Sequence, residues 1–202
     1  DSGNFDWMAH AEKFPGLTTP DESYHGVTYA KEFGKAAYIT KATAQLMRDF
    51  GSVPAPISSW IMGMHMESLG VRMERHCANA LAVARWLDAD SRISWVSYPG
   101  LEGDKYHALA EKYMPNGTCG VISFGVPGGR EKVSAFLDHL KMVSIATHVA
   151  DARSCTLYPA GTTHRQLTEE AGVGIDLVRL SCGIENAADI IADLDQALAS
   201  IQ

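Results

Sequence analysis

The stretch Asp176-Leu-Val-Arg-Leu-Ser-Cys-Gly-Ile-Glu185 limits what this chain can fold into more than any other. Leu177, Val178, Leu180 and Ile184 give it the apolar, partly β-branched character of a buried strand. Arg179 sits in its middle with a charge it cannot lose. Such a charge on an apolar strand is costly to desolvate unless it meets an anion. A planar guanidinium matches a carboxylate with two parallel hydrogen bonds. Arg179 therefore either waits for a ligand carboxylate or forms a structural ion pair with one of the chain's own acids. This residue alone leaves both readings open.

Residues 1–35 read as loop. Pro15-Gly16, Thr19-Pro20-Asp21 and His25-Gly26 are turn punctuation. Phe5, Trp7, Phe14, Tyr24, Tyr29 and Phe33 follow neither a helical nor a strand period, so the segment is expected to wrap another part of a larger molecule rather than make a core. A short helix is expected over 36–50, ending at Gly51. After Pro54 and Pro56 the pattern predicts one long helix from about Ser58 to Leu87. Leu69, Met73, Cys77, Ala80, Leu81, Ala84 and Leu87 form its apolar stripe, with Arg72, Glu74, Arg75 and Asn79 largely off it. At the standard rise it would be roughly 45 Å long, a length suited to bridging two parts of a molecule. Strands are expected at 93–98, 119–126, 144–149, 154–157 and 177–181, and helices at 105–113, 130–140 and 187–201. The class is α/β, with an α+β C-terminal part: an antiparallel or mixed sheet with helices on one face.

The 202 residues, 46% hydrophobic and 20% charged, suffice for one good core or two small ones. A net charge of -7 without a Lys/Arg cluster argues against a nucleic-acid partner. No apolar run is long enough to cross a bilayer and no signal peptide opens the chain. Cys77, Cys119, Cys155 and Cys182 lie far apart among apolar neighbours, which favours buried reduced thiols, a cytoplasmic setting and no metal. Met62-Gly-Met-His-Met66 has soft-metal residues, but alternate helical positions diverge, so core packing is the expectation. Gly125-Val-Pro-Gly-Gly129 lacks the Lys-Ser/Thr of a phosphate loop and reads as a strand-to-helix turn. No Gly-x-Ser-x-Gly elbow supports a serine hydrolase. In Tyr158-Pro-Ala-Gly-Thr-Thr-His164, His164 could be an acid–base group and Thr162 and Thr163 could contact a ligand. Those hydroxyls could equally hold the loop's own backbone. His148, ahead of Asp151-Ala-Arg153, either faces a site or is a satisfied histidine. The opening Asp1-Ser-Gly-Asn-Phe-Asp-Trp7 has no Met and no targeting logic, which suggests a fragment.

Eight motifs occur in a familiar order: Asp1–Trp7, Ser23-Tyr-His-Gly26, Phe33-Gly-Lys-Ala-Ala-Tyr38, Arg72-Met-Glu-Arg-His76, Tyr98-Pro-Gly-Leu101, Gly120-Val-Ile-Ser-Phe-Gly125, Pro159-Ala-Gly-Thr-Thr-His164 and Val178-Arg-Leu-Ser-Cys-Gly-Ile-Glu185. Together they resemble the Cys/Met-metabolism family of pyridoxal-phosphate enzymes, most closely its O-acetylhomoserine sulfhydrylase branch. The resemblance covers essentially the whole chain. It implies the C-terminal half of a fold-type-I pyridoxal-phosphate transferase. Residues 1–57 would be the tail of the large cofactor domain, 58–88 a linking helix and 89–202 the small domain.

The resemblance further implies a reaction of O-acetylhomoserine with sulfide to give homocysteine and acetate, in methionine biosynthesis. Another family member, of cystathionine γ-synthase or methionine γ-lyase type, and a non-catalytic interaction domain or inactive fragment are the alternatives. Pyridoxal 5'-phosphate would be the cofactor. Its lysine and the other cofactor-binding residues are expected upstream of Asp1, since none of the eight lysines here stands in the family's lysine motif. The missing N-terminal half and neighbouring subunits of a homotetramer would be the partners. Arg179 carries over as the residue binding the substrate α-carboxylate. His148 stands where relatives usually have Asn or Ser close to substrate, so a contact there is a weaker expectation. Relatives also usually read His-Pro-Ala-Ser-Thr-Thr-His. Tyr158 and Gly161 replace the first His and the Ser, which is expected to loosen that loop. The Glu169–Gly172 connection is shorter than usual.

Overall fold

The computed structural model describes residues 3–167 and 172–201, so Asp1, Ser2 and most of the Glu169–Gly172 connection lie outside the described residues. The chain divides into two compact units, residues 1–64 and 65–202.

The first unit is more structured than its turn-rich sequence predicts. Short helices α1 (Pro15–Thr18), α2 (Tyr29–Phe33), α3 (Ala37–Lys41) and α4 (Arg48–Phe50) punctuate it. A π-helical segment, Ala42–Met47, joins the last two, and Gly51 at φ 65° stops the run where expected. Leu17, Tyr29 and Ala37 make a small core, with Trp7, Tyr24, Val27 and Ala30 packed against it. The expectation that the segment makes no core is therefore corrected. Polar bonds supplement the scant apolar burial. The Asp21 carboxylate accepts from Lys41 Nζ at 2.8 Å and the Ser23 hydroxyl at 2.7 Å. Lys41, then Ser23, hold its pKa well below the usual carboxylate range. Tyr29 donates its phenol proton to Gln45 Oε1 at 3.0 Å.

The expected single helix over 58–87 is two: α5 (Pro56–Glu67) and α6 (Leu69–Ala89). The break at Ser68 has a local cause. Arg72 Nη2 donates to the His65 carbonyl at 2.7 Å, and Ser68 Oγ lies 3.5 Å from the same oxygen. A side chain intruding into the backbone ladder is a standard origin of a helix break. No residue of α5 is buried. Met62, Met64 and Met66 are 61%, 49% and 65% exposed, so core packing does not explain them.

The second unit is built on a five-stranded sheet. Its strands are β1 (Trp95–Ser97), β2 (Val121–Gly125), β3 (Ser144–Ile145), β4 (Cys155–Leu157) and β5 (Leu177–Ser181), in the order β1-β2-β5-β4-β3. All neighbours are antiparallel except β3 and β4, which gives the expected mixed sheet. Helices α7 (His107–Tyr113), α8 (Gly129–Asp138) and α9 (Ala187–Ala199) complete it. Alternation along the strands sends Ile122, Phe124, Val178 and Leu180 to one face. There they meet Ala80, Val83, Ala84 and Leu87 of α6, Val133, Phe136 and Leu137 of α8, and Ile190, Leu194 and Leu198 of α9. The Asn186 side chain caps α9, accepting from Ala188 N–H at 3.2 Å. The Gly125–Gly129 segment is the strand-to-helix turn the sequence suggests, with Gly128 at φ 107° and Gly129 at φ 72°.

Candidate functional site

Arg179 occupies the middle of the central strand, β5, paired with Ser123 of β2 and Leu157 of β4. Because Val178 and Leu180 enter the core, strand alternation puts Arg179 on the opposite face. It is partly exposed. Its Nη2 donates to the Thr147 carbonyl at 3.4 Å, a long bond to a neutral acceptor. Among the described residues no carboxylate lies within ion-pair distance of this guanidinium. Of the two readings the sequence allows, the described residues supply no structural ion pair. The fork stands on a rigid strand with bonding capacity to spare.

The Thr147 contact brings Arg179 to the loop that carries His148. His148 is exposed, and its Nδ1 lies 3.2 Å from Asp151 Oδ2. Asp151 also accepts from Arg153 N–H at 3.0 Å. The Arg153 backbone, then His148, lower the Asp151 pKa. The carboxylate thus orients the imidazole and leaves Nε2 turned to other partners. Under the loop, Cys155 Sγ donates to the His148 carbonyl at 3.2 Å, and Ser181 Oγ accepts from Ala150 N–H at 3.1 Å. Ala150 adopts φ 59°, a left-handed conformation that alanine holds only where its surroundings impose it.

The Tyr158–His164 loop is held by its own hydroxyls. Thr162 Oγ1 donates to the Tyr158 carbonyl at 2.7 Å, and Thr163 Oγ1 lies 2.7 Å from His164 Nδ1. The Tyr158 hydroxyl donates to the Ile175 carbonyl at 2.8 Å. A Cβ on residue 161 would collide with Tyr158 Cδ1 and lie 2.7 Å from its Cε1. The two departures from the family pattern are spatially coupled: the Tyr158 ring lies where a Cβ on residue 161 would stand. Gly161→Ser is expected to destabilise by about 1–3 kcal/mol, as overpacking does. Adding Tyr158→His should recover only part of that loss, since the imidazole keeps ring atoms at the δ and ε positions and gives up the hydroxyl bond to the Ile175 carbonyl. Thermal unfolding of the two single variants and the double variant checks this, and strictly additive losses would refute the coupling.

Two site-supporting residues escape the sequence pattern. His76 and Asn79 of α6 are polar yet buried. His76 Nδ1 lies 2.7 Å from the Cys182 carbonyl, and Asn79 Nδ2 donates to the Gly183 and Glu185 carbonyls at 2.9 and 2.8 Å. Asn79, expected off the apolar stripe, instead faces inward to pin the turn after β5. All four cysteines are free, Cys155 and Cys182 buried and Cys77 and Cys119 half-buried. Burial pushes the Cys182 thiol up to about 12 and raises Cys77 and Cys155 as well, which disfavours thiolate chemistry. No group of His, Cys, Asp or Glu among the described residues is arranged to hold a metal. No described helix is long and apolar enough to cross a membrane. A largely apolar open cleft of about 260 Å³ in the first unit is lined by Phe14, Leu17, Tyr38 and Lys41. Lys41 is committed there to Asp21 and the Gly16 carbonyl. The other seven lysines are exposed, so none is the desolvated amine that carbonyl chemistry requires.

The fold aligns with a crystal structure of a protein assigned as an O-acetylhomoserine (thiol)-lyase from Campylobacter jejuni, which carries pyridoxyl-lysine phosphate. The TM-score is 0.83 and the identity 35%, over 93% of this chain and 45% of that one. The architecture is thus that of the C-terminal part of a pyridoxal-phosphate-dependent α/β enzyme. Residues 25–199 match the model of the Cys/Met metabolism PLP-dependent enzyme family, and the chain belongs to that family. It is 43% identical to a homocysteine synthase of Schizosaccharomyces pombe over 98% of its length, and 42% identical to an O-acetyl-L-homoserine sulfhydrylase of Leptospira meyeri over all of it. The chain spans about half the length of these curated relatives, 47% and 48%.

Proposed function

We propose that the chain is the C-terminal half of a pyridoxal-phosphate-dependent sulfhydrylase that joins sulfide to O-acetylhomoserine, releasing acetate and forming homocysteine. In this reading residues 1–57 are the tail of the cofactor domain, 58–88 the connection and 89–202 the small domain. The observation that carries it is Arg179: a guanidinium on the central strand, facing away from the core and paired with no carboxylate among the described residues.

Arg179 binds the α-carboxylate of the amino-acid substrate through its two-pronged fork. Fixing that group fixes the orientation of the carbon skeleton and thereby which bond is presented for reaction. His148, oriented by Asp151, offers a second contact at the acidic end of the substrate. The cofactor, when bound in the full-length protein, supplies an electron sink. The lysine that holds it comes from the other half, in keeping with the exposed or ion-paired state of all eight lysines here. The exposed apolar residues of α5 support a cover supplied by the rest of the protein and by neighbouring subunits of a homotetramer. A cytoplasmic location completes the reading.

The test is turnover by the full-length protein reconstituted with pyridoxal phosphate. O-acetylhomoserine and sulfide should yield homocysteine and acetate. Ammonia and a keto acid from methionine, with no sulfide-dependent product, would reassign it as a lyase. No reaction with either substrate would sink the enzymatic reading.

A further inference from the structure

A partly buried knot ties the strand that carries Arg179 to the loop that carries His148. Glu185 Oε1 accepts from Ser154 N–H at 2.5 Å, and Oε2 accepts from the Ser154 hydroxyl at 3.0 Å. That hydroxyl in turn accepts from Gly183 N–H at 2.9 Å, and Ile184 N–H donates to the Ala152 carbonyl at 2.9 Å. His76 and Asn79 hold the same turn from α6. The packing leaves no slack: a Cβ on Gly183 would strike Glu185 Oε2 and the Ala152 carbonyl, and lie 2.6 Å from the Arg153 carbonyl carbon. Ser154 is fully buried. From this knot two antiparallel segments run side by side in the register Cys155↔Ser181 and Leu157↔Arg179. The loop preceding Ser154 returns over them, bonded to Ser181 through Ala150 and to Arg179 through Thr147.

We infer that Glu185 is a positioning residue for the carboxylate site: by gripping both donors of Ser154 it sets where the loop presents the Thr147 carbonyl and His148 relative to the Arg179 guanidinium. The inference rests on the reading of Arg179 as the substrate's carboxylate clamp. Glu185 touches no substrate. Its two oxygens receive two donors of one residue with a full charge behind both bonds; glutamine can keep the Ser154 N–H on its carbonyl oxygen but meets the hydroxyl only by donating to it, losing the charge and reversing one bond.

The experiment uses the full-length protein loaded with cofactor and compares the KM for the amino-acid substrate with the KM for sulfide. Sulfide has no carboxylate to clamp. Glu185→Ala, which removes both acceptors, should raise the amino-acid KM about tenfold, the scale of one lost charge-assisted hydrogen bond, and leave the sulfide KM within about twofold. Ser154→Ala removes only the hydroxyl bridge and should raise the amino-acid KM about threefold. It remains a fair test should the Glu185 variant fail to fold. Equal rises in both KM values would overturn the inference, because they mean general loosening. Unchanged amino-acid KM values beside a strong Arg179→Lys defect would overturn it while sparing the clamp. If Arg179→Lys itself leaves that KM unchanged, the clamp is wrong and the positioning role falls with it.

Discussion

Arg179→Lys in the full-length protein is expected to lower kcat/KM for the amino-acid substrate roughly a hundredfold, about 2.7 kcal/mol of transition-state binding. Lysine preserves the charge but not the planar fork, so it loses one of two parallel bonds and the orientation they impose. The shorter reach matters as well, because the strand cannot move toward the ligand: β5 is paired on both sides, with β2 and β4. Thermal stability should change little. The guanidinium makes one long bond to the Thr147 carbonyl and no ion pair among the described residues, so little folding energy depends on it. A large kinetic loss beside a small shift in Tm separates a ligand-binding arginine from a structural one. Steady-state kinetics and thermal unfolding on the same preparation measure both. Unchanged kcat/KM would refute the assignment.

The strand that carries this residue was readable because its signals are local. Leu177, Val178 and Leu180 mark a buried strand, and a charge among them asks for an anion. The amphipathic helices α8 and α9 were readable for the same reason, their inward residues recurring at helical spacing. What the sequence hid depends on side-chain partners that hydrophobic periodicity does not report. His76 stands at helical spacing from the buried Ala80, Val83 and Leu87, but as a polar residue it is readable as buried only through its partner, the Cys182 carbonyl 106 residues away. The break at Ser68 depends on a guanidinium reaching back a full seven residues to His65, against an otherwise unbroken helical pattern. The first unit's small core escaped because Leu17, Tyr29 and Ala37 stand on three separate short helices, none long enough to display a period. The coupling between Tyr158 and Gly161 is likewise spatial, although both positions were visible as departures from the family pattern.

Asp193→Ala is expected to destabilise the second unit by about 3 kcal/mol, the upper range for stripping a buried acceptor from its donors. The Asp193 carboxylate accepts from the backbone N–H groups of Lys141, Met142 and Val143, each at 2.9 Å, and from Gln196 Nε2 at 3.1 Å. It thereby anchors the approach to β3 onto α9, in place of strand pairing that those three N–H groups do not make. Alanine would leave the donors unanswered in a site where Asp193 is only 6% exposed. Burial works to raise the Asp193 pKa, and the three backbone donors outweigh it, so the group titrates below its ordinary range. The sign follows from linkage: a carboxyl lowered on folding contributes stability above its unfolded pKa and loses it as pH falls through the folded one. The wild-type chain should therefore weaken in acid partly through this group, and Asp193→Ala should show a flatter stability profile below about pH 4, the ordinary carboxylate value. Denaturant unfolding of the second unit at neutral and acid pH measures both effects. Equal stability of the two proteins at neutral pH would mean that another acceptor serves those amides, and that the anchor between α9 and the edge of the sheet lies elsewhere.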